Sequence, residues 1–257
     1  NDDGVAYLEA MSPVDCIFLD PARRNEHGGK TVAISDCEPN VAKLEGLLLS
    51  KANRIMIKLS PMLDLSQALK ELPHTQEVHI ISVNNECKEL LLLLGQTAPE
   101  EIPVHCVNLS TKGEQEKQLF VFTREQEQHS ECSYTDTLGN YLYEPNASLL
   151  KAGAFRSIAA AYSAKKLHPN SHLYTSDTQI EGFPGRTFRI INRCSLNKKE
   201  IKENLSDLKK ANITVRNFPA TVAELRKRIK LAEGGDTYLF ASTLNDGQKI
   251  LIRCGKV

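Results

Sequence analysis

The stretch Val14-Asp15-Cys16-Ile17-Phe18-Leu19-Asp20-Pro21-Ala22-Arg23-Arg24 decides how this chain reads. The apolar run Cys16 to Leu19 is stopped by Asp20-Pro21. A short apolar run closed by proline predicts a buried parallel strand whose C-terminal end opens into a loop. In open α/β sheets ligands bind at that end of the strands. Asp20 is thereby placed where ligands meet, and Pro21 fixes the backbone beside it. A second run, Arg54-Ile55-Met56-Ile57-Lys58-Leu59, ends in Ser60-Pro61 in the same manner. Lys58 and Ser60 then turn over the same face as Asp20.

Working outward, residues 1–125 alternate between strand and helix patterns. Helices are predicted over Gly4 to Met11, Val41 to Ser50, Leu63 to Leu72 and Cys87 to Leu94. Asn84, Asn85 and Glu86 are read as the cap of the last of these. Further strands are predicted over Glu77 to Val83, Val104 to Leu109 and Gln118 to Phe122, the last two joined through Lys112-Gly113. Such alternation implies α/β architecture, a mostly parallel sheet with an antiparallel edge. Residues 126–185 differ: a polar linker, then Tyr143-Glu144-Pro145-Asn146, a helix from Ala147 to Ala161 and the turn Gly182-Phe183-Pro184-Gly185. Residues 186–257 read as a compact βαβαββ unit with the hairpin signal Asn245-Asp246-Gly247. Three domains are expected: 1–125, 126–185 and 186–257.

The 257 residues are 41% hydrophobic, which suits globular folding. No apolar run approaches the roughly 18–20 residues that cross a bilayer, so no membrane span is expected. The start Asn1-Asp2-Asp3 is polar and lacks Met, which suggests an excised fragment. The seven cysteines are scattered singly without a CxxC pair. That pattern implies reduced thiols in a cytoplasmic setting and no metal site. The zero net charge hides an asymmetry. Residues 186–257 carry 16 Lys+Arg against 7 Asp+Glu, and the remainder carries 16 against 25. A polyanion partner for the basic part is one reading; a solvated lysine-rich surface is the other.

Three groups of residues carry a family resemblance. Asp-Pro-Ala-Arg at Asp20 to Arg23 resembles the Asp-Pro-Pro-Arg and Asp-Pro-Pro-Tyr sequences of S-adenosyl-L-methionine (SAM) dependent methyltransferases. Ser35-Asp36-Cys37-Glu38-Pro39 and Lys58-Leu59-Ser60-Pro61-Met62 extend the likeness to bacterial methyltransferases with a C-terminal THUMP-like domain. Tyr143-Glu144-Pro145-Asn146, Leu150-Lys151-Ala152-Gly153-Ala154 and Phe183-Pro184-Gly185-Arg186 resemble that family's small middle domain. The resemblance implies the C-terminal half of a Rossmann-like methyltransferase sheet, a small α+β linking domain and a THUMP-like domain. It implies SAM as cofactor and RNA, a tRNA or rRNA, as partner. Asp20, Pro21, Ala22 and Arg23 would form the catalytic loop, and Asp3 with Asp20 would touch the cofactor. Arg23, Arg24, Lys58 and Ser60 would meet the substrate, with Arg226, Lys227, Arg228 and Lys230 on one face of a basic helix. The chain departs from the family in one respect. The glycine-rich SAM loop belongs well upstream of the Asp-Pro strand, and only nineteen residues precede Asp20.

Each of these residues also has a plainer reading. Asp20 could cap the loop that follows it, and Arg23 and Arg24 could make surface ion pairs. His27 could assist proton removal or be an incidental loop residue. Asp36 and Glu38 could face a substrate, or Asp36 or Asn40 could cap the next helix. Cys37 could act as a nucleophile. A non-catalytic RNA-binding or scaffold module is the competing function, and self-association through an exposed sheet edge is compatible with either.

Overall fold

The computed structural model describes residues 3–23, 33–111 and 117–257, which pack as two compact units. The first comprises residues 1–128 with 147–154, and the second residues 129–146 with 155–257.

In the first unit, α1 (Gly4–Ala10) leads to β1 (Val14–Leu19). A short ribbon pairs β2 (Ala22–Arg23) with β3 (Cys37–Glu38), and a 3-10 turn at Ile34–Asp36 precedes β3. Then come α2 (Val41–Lys51), β4 (Ala52–Leu59), α3 (Leu65–Glu71), β5 (Thr75–Val83), β6 (Glu86–Leu94), β7 (Pro103–Leu109), β8 (Lys117–Thr123) and α4 (Arg124–His129). The sheet order is β1-β4-β6-β5-β7-β8. Strands β1 and β4 are parallel, as are β5 and β7; β6 runs antiparallel to both its neighbours, and β8 is antiparallel to β7. The antiparallel element thus lies inside the sheet as well as at its edge.

Residues Cys87 to Leu94 are strand, not the helix that the leucine run suggested. Leu90, Leu92 and Leu94 are buried while Leu91 and Leu93 are half-buried, a period of two that homogeneous leucines conceal. Asn84 and Asn85 stand at φ 50° and 64°, the left-handed pair that a tight β-hairpin requires, so they turn β5 into β6 rather than cap a helix. Asn40 is the cap of α2, its Oδ1 accepting from Lys43 N at 3.3 Å.

One face of this sheet is closed. Ile55, Ile57, Val78, Ile80, Leu90, Leu92, Val104 and Cys106 are all essentially inaccessible. Helix α2 covers β4, and α5 (Ala147–Ala152) covers β5, β6 and β7. The other face is more open, with Phe18, Leu119 and Val121 exposed.

The second unit holds β9 (Tyr141–Pro145), α6 (Arg156–Ala161), β10 (Lys165–Lys166), β11 (Tyr174–Ser176), β12 (Gly185–Cys194), α7 (Lys198–Leu205), β13 (Asn212–Val215), α8 (Val222–Ile229), β14 (Thr237–Thr243) and β15 (Lys249–Lys256). The helix expected over 147–161 is two short ones, broken where Gly153 adopts φ 77°. A single seven-stranded sheet runs β10-β11-β9-β12-β15-β14-β13. The expected boundary near residue 185 therefore falls where β12 begins, inside one sheet. Phe188, Phe240, Ile250, Ile252 and Cys254 pack one core with Leu142 and Leu173. Leu205, Leu225, Leu239 and Leu251 pack the second, beneath α7 and α8. The architecture of the whole is mixed α/β.

Candidate functional site

Parallel pairing of β1 with β4 sets Leu19 beside Ile57, so the C-terminal ends of both strands lie together. The residues that follow inherit that proximity. Lys58 Nζ stands 2.6 Å from Asp20 Oδ2 and 4.0 Å from Glu89 Oε2. The hydrogen bond to Asp20 raises the Lys58 pKa above its ordinary value, against the opposing effect of desolvation; the charges of Glu89 and Asp20 add to the rise. The ammonium is thereby held charged between two carboxylates. Ser60 shapes the turn beyond β4: its carbonyl accepts from Leu63 N at 3.1 Å and its Oγ from Met62 N at 3.2 Å.

These groups line a cavity of about 310 Å³ bounded by Asp20, Pro21, Ala22, Cys37, Lys58, Ser60, Pro61, Lys88 and Glu89. Its size is at the lower end of the range for small-molecule clefts. The structure brings together Asp20, Pro21, Ala22, Lys58 and Ser60 as the two interrupted strands suggested. It adds Lys88 and Glu89, which the helix reading of 87–94 hid. Cys37, weighed from the sequence as a candidate nucleophile, also lines the cavity, carried in by the pairing of β3 with β2. The backbone of Arg23 pairs with Cys37 in that ribbon. Arg24 and His27, and the side chains of Arg23 and Asp36, lie outside the described residues. Glu38 is exposed and pairs with Ala22.

Asp3 is engaged in local structure. Its Oδ1 accepts from Val5 N and Ala6 N, both at 2.9 Å, as the cap of α1. A carboxylate satisfying a helix start has less acceptor capacity left for a cofactor.

In the second unit the quoted motifs form a buried charge network. Glu144, 2% exposed, accepts from Arg186 Nε at 2.9 Å and from Arg216 Nη2 at 2.9 Å. Strand β12 lies so close to β9 that a Cβ at Gly185 would stand 2.1 Å from the Glu144 carbonyl oxygen. Only glycine permits that approach. Tyr143 is buried, with its hydroxyl 2.8 Å from Ser176 Oγ and accepting from Ile180 N at 2.8 Å.

Helix α8 opens with a capping box between Thr221 and Glu224. Leu225 is buried and Ile229 packs beside it. Two of the four basic residues singled out here support the fold itself. Arg226 donates to Ala211 O at 3.1 Å, and Arg228 to Leu196 O at 2.8 Å. Lys230 ends the helix at φ 63°. Lys227 and Lys230 are exposed.

Against known proteins, residues 141–184 match a family described as a ferredoxin-like domain, and residues 185–256 match one described as THUMP domain-like. No curated protein matches. Among solved structures, the chain is similar to the crystal structure of a "putative methyltransferase from Porphyromonas gingivalis W83", at 40% identity and a TM-score of 0.85. The match covers 95% of this chain and 60% of that one, so the chain spans about three fifths of its relative's length. The kinship read from the sequence stands at this level: the chain carries a THUMP-like domain over residues 185–256 and is similar over 95% of its length to a protein described as a methyltransferase.

Proposed function

We propose that this chain is the C-terminal portion of a cytoplasmic, SAM-dependent methyltransferase that modifies RNA, a tRNA or rRNA. The observation that carries the proposal is the pair of adjacent parallel strand ends holding Asp20 against Lys58 at the mouth of a cavity, the placement that an α/β sheet reserves for ligands. The 40% identity to the Porphyromonas gingivalis protein supports methyl transfer, and the THUMP-like domain supports RNA. The cysteines are scattered singly along the sequence without a CxxC pair, and that spacing supports the cytoplasmic part of the reading. No helix among the described residues is long and apolar enough to cross a membrane.

The described residues do not by themselves fit the cofactor. Asp3 caps α1, and the cavity beside Asp20 is lined mainly by charged and small groups rather than by a glycine-rich backbone cradle. Segments outside this chain would have to complete the SAM site. Within that reading, β1 and β4 form half of a Rossmann-like sheet, with β1 paired on one side only among the described residues. Asp20 serves the substrate side. Its carboxylate accepts a hydrogen bond from the nucleophile and sets its line of attack, while Lys58 holds that carboxylate in place. Methyl transfer is an in-line displacement, so orientation and exclusion of water contribute more than proton transfer.

The test is direct. The whole protein, incubated with SAM and bulk tRNA or rRNA, should transfer methyl groups to one of them; transfer to neither would reject the reading. This chain alone should bind SAM weakly. A dissociation constant below about 10 µM, or more than about 7 kcal/mol of binding free energy, would show that the cofactor site is complete here after all.

A further inference from the structure

On the open face of the first sheet, two histidines and a glutamate converge. His79 on β5 and His105 on β7 are register partners in the parallel pairing, so both rings leave the sheet side by side. Their centroids are 4.4 Å apart with the planes 7° from parallel. Glu77 lies two residues before His79 on the same strand and therefore on the same face. Its Oε2 stands 3.1 Å from His79 Nε2 and 3.8 Å from His105 Nε2. All three ligand atoms lie within 4.8 Å of one another. The side chains are 27%, 25% and 44% exposed for His79, His105 and Glu77, so the cluster is reachable from solvent yet held by the sheet.

We propose that Glu77, His79 and His105 form a binding site for a first-row divalent cation, with zinc(II) the best match. Two imidazoles with one carboxylate suit zinc, nickel and iron(II) far better than magnesium or calcium, which take all-oxygen sets. Zinc bonds of 2.0–2.1 Å in a tetrahedron put ligand atoms about 3.3 Å apart. The contacts from Glu77 already bracket that spacing, and tilting the stacked rings towards each other about χ2 closes the remainder. Three protein ligands leave one position open to water or a ligand. Val121 on β8 is the register partner of His105, so an apolar side chain flanks the cluster on the same face. Lys117 brings a positive charge near His105, which the Glu77 carboxylate opposes. The site uses none of the cysteines, since Cys106 next to His105 points to the buried face of β7, and so cysteine spacing gave no sign of it.

Zinc chloride titrated into the whole chain by calorimetry should show one equivalent bound with a dissociation constant of about 10 µM or tighter. His79→Gln and His105→Gln should each weaken binding by at least about tenfold, or about 1.4 kcal/mol. Glu77→Gln should weaken it too. A second readout guards against misfolded variants: zinc should raise the melting temperature of the unaltered chain, and this rise should vanish in His105→Gln. Cys16→Ser and Cys132→Ser should leave binding unchanged. Zinc binding that survives both histidine substitutions, or the lack of a saturable equivalent below about 100 µM, would overturn the proposal.

Discussion

At the scale of single residues, the two units use charge differently. Lys58 and Asp20 form an ion pair at an accessible strand end, which in the proposed function a substrate donor would join. Glu144 is enclosed, and two guanidiniums close on it. Removing one partner of a buried pair leaves the other side uncompensated, and that costs about 3–5 kcal/mol. Both arginines keep roughly a third of their side chains in solvent, so Glu144→Gln should cost less, about 2–3 kcal/mol in urea unfolding of the chain. A change under about 0.5 kcal/mol would show that the network adds nothing to stability. His172 supplies a pH dependence. Its ring stacks on Phe155 at 3.7 Å, and burial together with the charges of Lys166 and Arg216 lowers its pKa from 6.5 to about 4. The folded state refuses a proton that the unfolded chain accepts, so the sign is fixed. Stability should fall as pH drops from about 6.5 towards 4, by of order 1–2 kcal/mol after allowing for the ring's partial exposure. His172→Gln should flatten that part of the profile in melting curves at stepped pH; an unchanged profile would rule the ring out as the cause.

Elements show where the sequence was legible and where it was not. Strands β1 and β4 could be read because proline ended each apolar run, and their parallel pairing united Asp20, Lys58 and Ser60. Among the described residues, however, β1 is an exposed edge strand with Cys16 and Phe18 in solvent, not the buried strand its apolar run suggested. The βαβαββ order of residues 186–257 was legible for a similar reason, since polar helix faces and the Asn-Asp-Gly turn punctuate it. Strand β6 was not. Five successive leucines carry no period, and the deciding signal sat in Asn84-Asn85, whose left-handed backbone makes a hairpin turn. Lys88 and Glu89 were lost to the site by that misreading. Asn85→Ala should cost about 1–2 kcal/mol, from strain in the left-handed region and from loss of the bond its Oδ1 accepts from Ala147 N at 2.8 Å. Chemical denaturation would measure it, and a neutral result would contradict the hairpin account. In α8, tertiary hydrogen bonds not visible in the sequence divide the basic residues. Arg226 and Arg228 hold backbone carbonyls, so reversing them would damage the fold as well as any RNA contact. Lys227→Glu with Lys230→Glu is the cleaner probe. It should weaken RNA binding and reduce its salt dependence between about 50 and 200 mM. Unchanged affinity and slope would make this surface merely solvated.

For the whole molecule, the first unit brings the strand ends of β1 and β4 together, which in the proposed function position the nucleophile, and the second carries the ferredoxin-like and THUMP-like segments in one continuous sheet. In the proposed function, Asp20 acts on the substrate in a methyl transfer completed by segments beyond this chain. The most direct measurement compares the whole protein with its Asp20→Ala variant in transferring labelled methyl from SAM to RNA. Because Asp20 is half-exposed at a strand end, the melting temperature should hardly change while the rate falls by at least about a hundredfold, or about 2.7 kcal/mol of barrier. Activity retained within about tenfold, only about 1.4 kcal/mol, would mean that Asp20 merely braces Lys58 and that the site lies elsewhere.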